Sequence, residues 1–141
     1  MEVISSGGIT AYRHYINAGS EAVGIYSRAS TGNSIDYVLS DHQSSVASIT
    51  NSSGGVIVPE SFTPFGARRN PTTWSGAGSN TDLTTSAAIT RQAYTFQTQL
   101  GLWMGMNHMN GRVQDDITGR FLGVSGILCV KACLLYTSRC V

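Results

Sequence analysis

The chain has 141 residues, nine basic and eight acidic side chains, and no run of either sign. That balance leaves no electrostatic footprint for nucleic acid or an anionic membrane. No stretch approaches the ~18–20 uninterrupted apolar residues of a membrane-spanning helix. Sixteen glycines, abundant serine and threonine, scattered aliphatics and no long helical periodicity describe a β-rich chain with many turns, of single-domain length.

At the start, Met1-Glu2-Val3-Ile4-Ser5 lacks the basic and apolar regions of a secretory signal. Thr10 to Tyr26 is predicted to form a hairpin. Tyr12, His14 and Ile16 alternate with Arg13, Tyr15 and Asn17, Ala18-Gly19-Ser20-Glu21 turns, and the return strand aligns Val23 with Ile25. Ser30-Thr31-Gly32-Asn33 is the next turn, and Ile35 to Ser40 is a strand that aligns Ile35, Tyr37 and Leu39. Asp41-His42-Gln43 interrupts, Val46 to Thr50 resumes, and Asn51 to Gly55 turns again. Val56 to Phe62 follows, and Pro59, which cannot donate to a ladder, assigns that strand to an edge or a bulge.

From Ala67 to Thr90 the alternation lapses into a long loop. Asp82 to Ile89 is expected to hold a helical turn and to be the region to which any helix is confined, with Trp74 pinning the loop onto the sheet. Beyond it, Leu100, Leu102, Met104 and Met106 share one face of a predicted strand, and Gly101, Trp103 and Gly105 share the other. Asn110-Gly111 is a type I′ hairpin signal, since both central positions need φ > 0. Asp115-Asp116-Ile117-Thr118-Gly119 is a second turn, with carboxylates placed to cap local N–H groups. Strands and turns thus recur every ~8–12 residues, the interval of all-β layers built from short antiparallel hairpins.

Three strings carry a family resemblance. Leu100 to Phe121, LGLWMGMNHMNGRVQDDITGRF, resembles the closing motif of the Rhs (YD-repeat) associated core domain. Ser40 to Val46 and Phe62-Thr63-Pro64-Phe65-Gly66 resemble two upstream motifs of that family, in family order. Gly111, Val113-Gln114 and Asp116 depart from the pattern, standing where the family has alanine, two tyrosines and proline. In the family the segment around Arg112 is mostly extended, whereas the residues themselves point to a hairpin at Asn110-Gly111. The resemblance covers residues 1–122 as a core fragment, an incomplete part of a β-shell.

Residues 123–141 read differently. The three cysteines, Cys129, Cys133 and Cys140, all lie there, and Cys133 to Ser138 is what a sequencing-adapter DNA would encode. This tail is expected to be non-native and to add nothing to stability. The cysteine spacing lacks the paired short intervals of a zinc site, and no metal or cofactor is expected.

Each candidate site competes with an ordinary structural role. Asp41, His42, Ser44 and Ser45 hold the residue types of a hydrolytic triad, but neighbours in an extended chain point opposite ways, which favours a polar turn. His108 between Met106 and Met109 reads as a core histidine rather than a soft-metal ligand. Arg68-Arg69 reads as part of a solvated loop. Arg112, Asp115 and Asp116 match a segment that in the family belongs to an autoproteolytic aspartyl site, so Arg112 and Asp115 are the family-matched catalytic candidates. The plainer role is an Arg112–Asp115 ion pair that holds the turn.

The resemblance implies a structural function: part of an Rhs-type shell that encloses and delivers a C-terminal polymorphic toxin in bacterial competition or toxin complexes. Its partners would be the rest of the parent protein and that toxin, and the parent would be secreted or cell-surface associated. An autoproteolytic core domain that releases the toxin, and a cell-surface carbohydrate-binding module, are the alternatives. Open sheet edges would also favour self-association.

Overall fold

A computed structural model describes residues 2–6, 9–100 and 104–122. Among the described residues ten strands form two open antiparallel sheets. In the larger, β1 (Glu2–Ser6), β2 (Ile9–Ala18), β3 (Glu21–Ala29), β4 (Gly32–Ser40), β5 (Val46–Thr50) and β6 (Val56–Pro59) pair strictly in chain order. In the smaller the order is β10 (Phe121–Leu122), β9 (Arg112–Asp115), β8 (Met106–Met109) and β7 (Thr98–Gln99). The all-β expectation of short antiparallel hairpins therefore holds, and among the described residues neither sheet closes. No described helix is long and apolar enough to cross a membrane.

Turn chemistry explains the meander. Gly19 (φ 67°), Gly32 (φ 141°) and Gly54 (φ 85°) take conformations that a Cβ disfavours, at three of its reversals. Asn110 (φ 43°) and Gly111 (φ 96°) both have positive φ, so the β8–β9 connection is the hairpin read from the residues, not the extended segment the family implies. As Pro59 requires, β6 is an edge strand.

The core lies on one face of the larger sheet. Val38, Ile49 and Val58 stand directly opposite one another on β4, β5 and β6. With Ile25 and Val46 they form a fully buried cluster. Burying each such aliphatic contributes about 1.5–3 kcal/mol. Phe96, Ile89, Ile57 and Tyr15 close over them, with Tyr15 edge-on to Phe96 at 5.8 Å. Phe96 belongs to a short 3₁₀ turn, Tyr94–Phe96, fastened by Val46 N–H to the Ala93 carbonyl (3.1 Å) and Thr95 N–H to Ser45 Oγ (3.1 Å).

Several expectations are corrected. Val23 and Ile25 do not share a face: the ladder passes from Ile16–Gly24 to Asn17–Ala22, and this bulge at Val23 turns it outward while Ile25 is buried. Ile35, Tyr37 and Leu39 do align, but on the uncovered face, since Val38 is the inward residue of β4. Where a continuous strand was expected from Leu100 to Met106, β7 ends at Gln99 and β8 begins at Met106, and Gly105 takes φ 59° between them. Residues 101–103 of that stretch lie outside the described ones.

The helix lies where it was expected and starts two residues earlier: α1 runs Asn80–Ile89, because Ser79 accepts from Asp82 N–H as an N-cap and Asp82 complements the helix start. Trp74 does not pin the loop onto the sheet. It is 68% exposed at φ 60°, with the Arg69 guanidinium 5.5 Å over its ring. β1 carries no sequence expectation at all, yet pairs with β2 over its whole length. The expectation for residues 123–141 falls outside the described residues.

Candidate functional site

The most chemically loaded place in the fold is a cleft of about 260 Å³ where the end of β6, the start of α1 and the turn after β9 meet. Local turns bring the charges there. Thr63-Pro64-Phe65-Gly66 reverses the chain: Gly66 N–H donates to the Thr63 carbonyl (3.0 Å), and Ala67 N–H to Thr63 Oγ1 (3.1 Å). Gly66 (φ 96°) could carry no side chain, because a Cβ would lie 2.6 Å from both the Asn107 amide and the Tyr94 ring. Phe62 is thereby bridged to Arg68, and Arg68 returns beside Glu60.

Glu60 is nearly sealed, its side chain 2% exposed. Arg68 Nη1 donates to both of its carboxylate oxygens. The same guanidinium donates to Gln99 Oε1 (3.1 Å) and Ser86 Oγ (3.4 Å), and lies 5.5 Å from the Phe62 ring centre. One side chain thus ties β6, α1 and β7 together. Burial pushes the Glu60 carboxyl above its usual range, opposed by Arg68 and Ser86. Reading Arg68-Arg69 as a solvated loop was therefore wrong for Arg68. Glu60 and Arg68 flank a turn-forming Thr-Pro-Phe-Gly string, which was the available signal.

Across the cleft stands Asp116, 5% exposed. Its N–H donates to the Gly105 carbonyl (2.9 Å), and its Oδ1 lies 3.0 Å from where a Cβ on Gly105 would sit. Burial first, then neighbouring Asp115, raises its carboxyl above the ordinary value, and only its own backbone N–H opposes them. Among the described residues no cation pairs with it.

Arg112 and Asp115 are not brought together. The Arg112 guanidinium packs 4.2 Å over the Phe121 ring. Asp115 accepts from Thr118 N–H (2.6 Å), Thr118 Oγ1 (2.9 Å) and Ile117 N–H (3.0 Å), and these bonds, the Thr118 N–H first, lower its carboxyl. The expected Arg112–Asp115 ion pair is absent, because the turn itself satisfies the carboxylate.

His108 is exposed rather than a core residue: in the β8 alternation Asn107 takes the buried position. Asp41 caps its own turn, accepting from Gln43 and Ser45 N–H at 2.8 Å each, while Ser45 Oγ is occupied by Thr95 N–H. The polar-turn reading of that string holds. Among the described residues no cluster of three or more His, Cys, Asp or Glu is placed to hold a metal ion. Comparison with protein-family models finds no match, and comparison with curated proteins finds none either.

Proposed function

We propose that this chain is a wall segment of an Rhs-type shell, a structural part that encloses a C-terminal toxin carried by the same parent protein. One observation carries the reading: a six-stranded meander whose two edge strands, β1 and β6, have no outer neighbour among the described residues. An open edge presents unpaired N–H and C=O groups that a further strand can extend. The Ser40–Val46 and Phe62–Gly66 strings support the reading by their sequence and lie at turns, whereas the third string folds as the β8–β9 hairpin and departs from the extended form the family implies. Against the autoproteolytic alternative, Arg112 and Asp115 are each engaged with other partners.

Two measurements test it. Electron microscopy of the parent protein, expressed from its uninterrupted gene, should reveal a hollow β-walled particle whose C-terminal segment resists added protease. A compact particle with a freely digested C-terminus would overturn the reading. A reporter fused after Val141 should keep its intact mass over a day. Cleavage that disappears in Arg112→Ala would replace the scaffold with the protease.

A further inference from the structure

We propose that the cleft beside Asp116 is a receptor for a lysine or arginine side chain presented by a partner polypeptide. This rests on the charges in the cleft and not on the shell reading.

Asp116, a residue only 5% exposed, lines the cleft and meets no cation among the described residues. Such a group is costly to bury unless something pairs with it. The other charges lining the cleft do not supply that partner. Glu60 and Arg68 neutralise each other, and Arg68 is further committed to Gln99 and Ser86. Arg69 also lines the cleft, but it donates to Ser61 Oγ (2.9 Å), its guanidinium lies 5.5 Å over the Trp74 ring, and it makes no ion pair with Asp116. Asp82, half-buried at the start of α1, adds a second negative charge. Asp115 adds a third nearby, although its oxygen is held by Thr118.

Pro59, Pro71, Ala77, Leu83 and Ile117 give the wall an apolar part, beside the polar Ser61, Ser79, Asn80 and Gln99. A long aliphatic stem ending in a positive head matches both the wall and the carboxylate. An anion would meet unbalanced negative charge, and a divalent ion would find too few ligands among the described residues. Gly105 keeps the site open: any larger residue would place its Cβ against Asp116 Oδ1.

The test uses the full chain and three blocked amino acids, the Nα-acetyl N-methylamides of lysine, arginine and norleucine. Amide shifts at Gly105 and Asp116 follow binding by NMR at pH 7. The two cationic probes should bind, at concentrations up to the order of tens of millimolar, and norleucine should not. Asp116→Asn should weaken the cationic probes about tenfold, the scale of a lost charged hydrogen bond. Ile117→Trp, at a position 75% exposed, should block the mouth while the carboxylate stays. That variant decides the matter if Asp116→Asn fails to fold. Equal binding of norleucine, no effect of either variant, or no binding by the unaltered chain would each overturn the proposal.

Discussion

Replacing Arg68 with methionine isolates the energetics of the buried ion pair. Methionine keeps most of the stem but leaves the Glu60 carboxylate, 2% exposed, without its cation. Stranding a buried charge in this way costs about 3–5 kcal/mol. Glu60 has an escape, since it can take a proton and enter the cleft neutral. Against an ordinary value of 4.5, holding that proton at pH 7 costs about 3.4 kcal/mol, at ~1.36 kcal/mol per pH unit. At pH 5 the same proton costs only about 0.7 kcal/mol. Arg68→Met should therefore lose about 3–4 kcal/mol at pH 7 and roughly 2–3 kcal/mol less than that at pH 5.

For a chain of this size the loss at pH 7 corresponds to about 12–16 °C in Tm, at roughly 4 °C per kcal/mol. Urea unfolding followed by circular dichroism at both pH values measures it. In the Glu60→Gln/Arg68→Met double variant the pH dependence of the loss should vanish. A loss that is equal at pH 5 and pH 7, or below about 1 kcal/mol at pH 7, would mean that Glu60 is not held where the geometry puts it.

Ile49→Ala should cost about 2–5 kcal/mol in urea unfolding, because Ile49 is fully buried between Val38 and Val58. Gly119→Ala should cost about 1–2 kcal/mol from backbone strain, since Gly119 has φ 69° and a Cβ there would meet the Phe65 ring at 2.5 Å. Adding Phe65→Ala should leave the strain and remove only the clash. Burial raises the carboxyls of Asp36, Glu60 and Asp116 in the folded chain. Between each ordinary value and its higher folded value the native state keeps a proton that the unfolded chain has lost, so stability falls as pH rises through that window. Asp115 runs the other way, its contribution present above its ordinary value of 3.8 and lost as pH falls through the lower folded one. Thermal midpoints should therefore rise as pH falls through the window just above these ordinary carboxylate values, and Glu60→Gln should flatten that slope.

Alternation and turn residues made the meander legible: Gly19, Gly32, Gly54 and Asn110-Gly111 sit at reversals where the structure has them. Period-two spacing says which residues share a face, not which face is covered. Ile35, Tyr37 and Leu39 share a face as the alternation says, and the covering elements, α1 and the Tyr94–Phe96 turn, pack on the other side, that of Val38. A bulge shifts the phase of the alternation, as at Val23, and nothing in Ala22-Val23-Gly24 announces it. The site was least legible. Glu60, Arg68 and Asp116 are brought together by two turns and a helix cap that are each local, while their meeting is a long-range event. Gly105 looked like a strand glycine, whereas its positive φ and the Asp116 oxygen beside it explain it as part of the cleft.

The face of the larger sheet that the described residues leave exposed decides whether the chain is better understood as a wall or as a closed unit. Register places Val3 opposite Tyr12, and Ile16, Gly24 and Tyr37 in one row across β2, β3 and β4. Leu39 follows two positions after Tyr37 and is 54% exposed. An apolar row of this kind on a self-sufficient monomer is a liability for association, whereas in a wall it meets whatever lies on that side. Leu39→Ser separates the two cases. In an open wall segment the side chain has nothing to lose, so urea unfolding of the isolated chain should shift by no more than about 0.5 kcal/mol. Sedimentation velocity should meanwhile detect less self-association than in the unaltered chain. If Leu39→Ser instead cost about 2 kcal/mol or more, the range of a buried leucine truncation, this face would be covered within the monomer. The meander would then be one half of a closed sandwich, and the wall reading would fall with it.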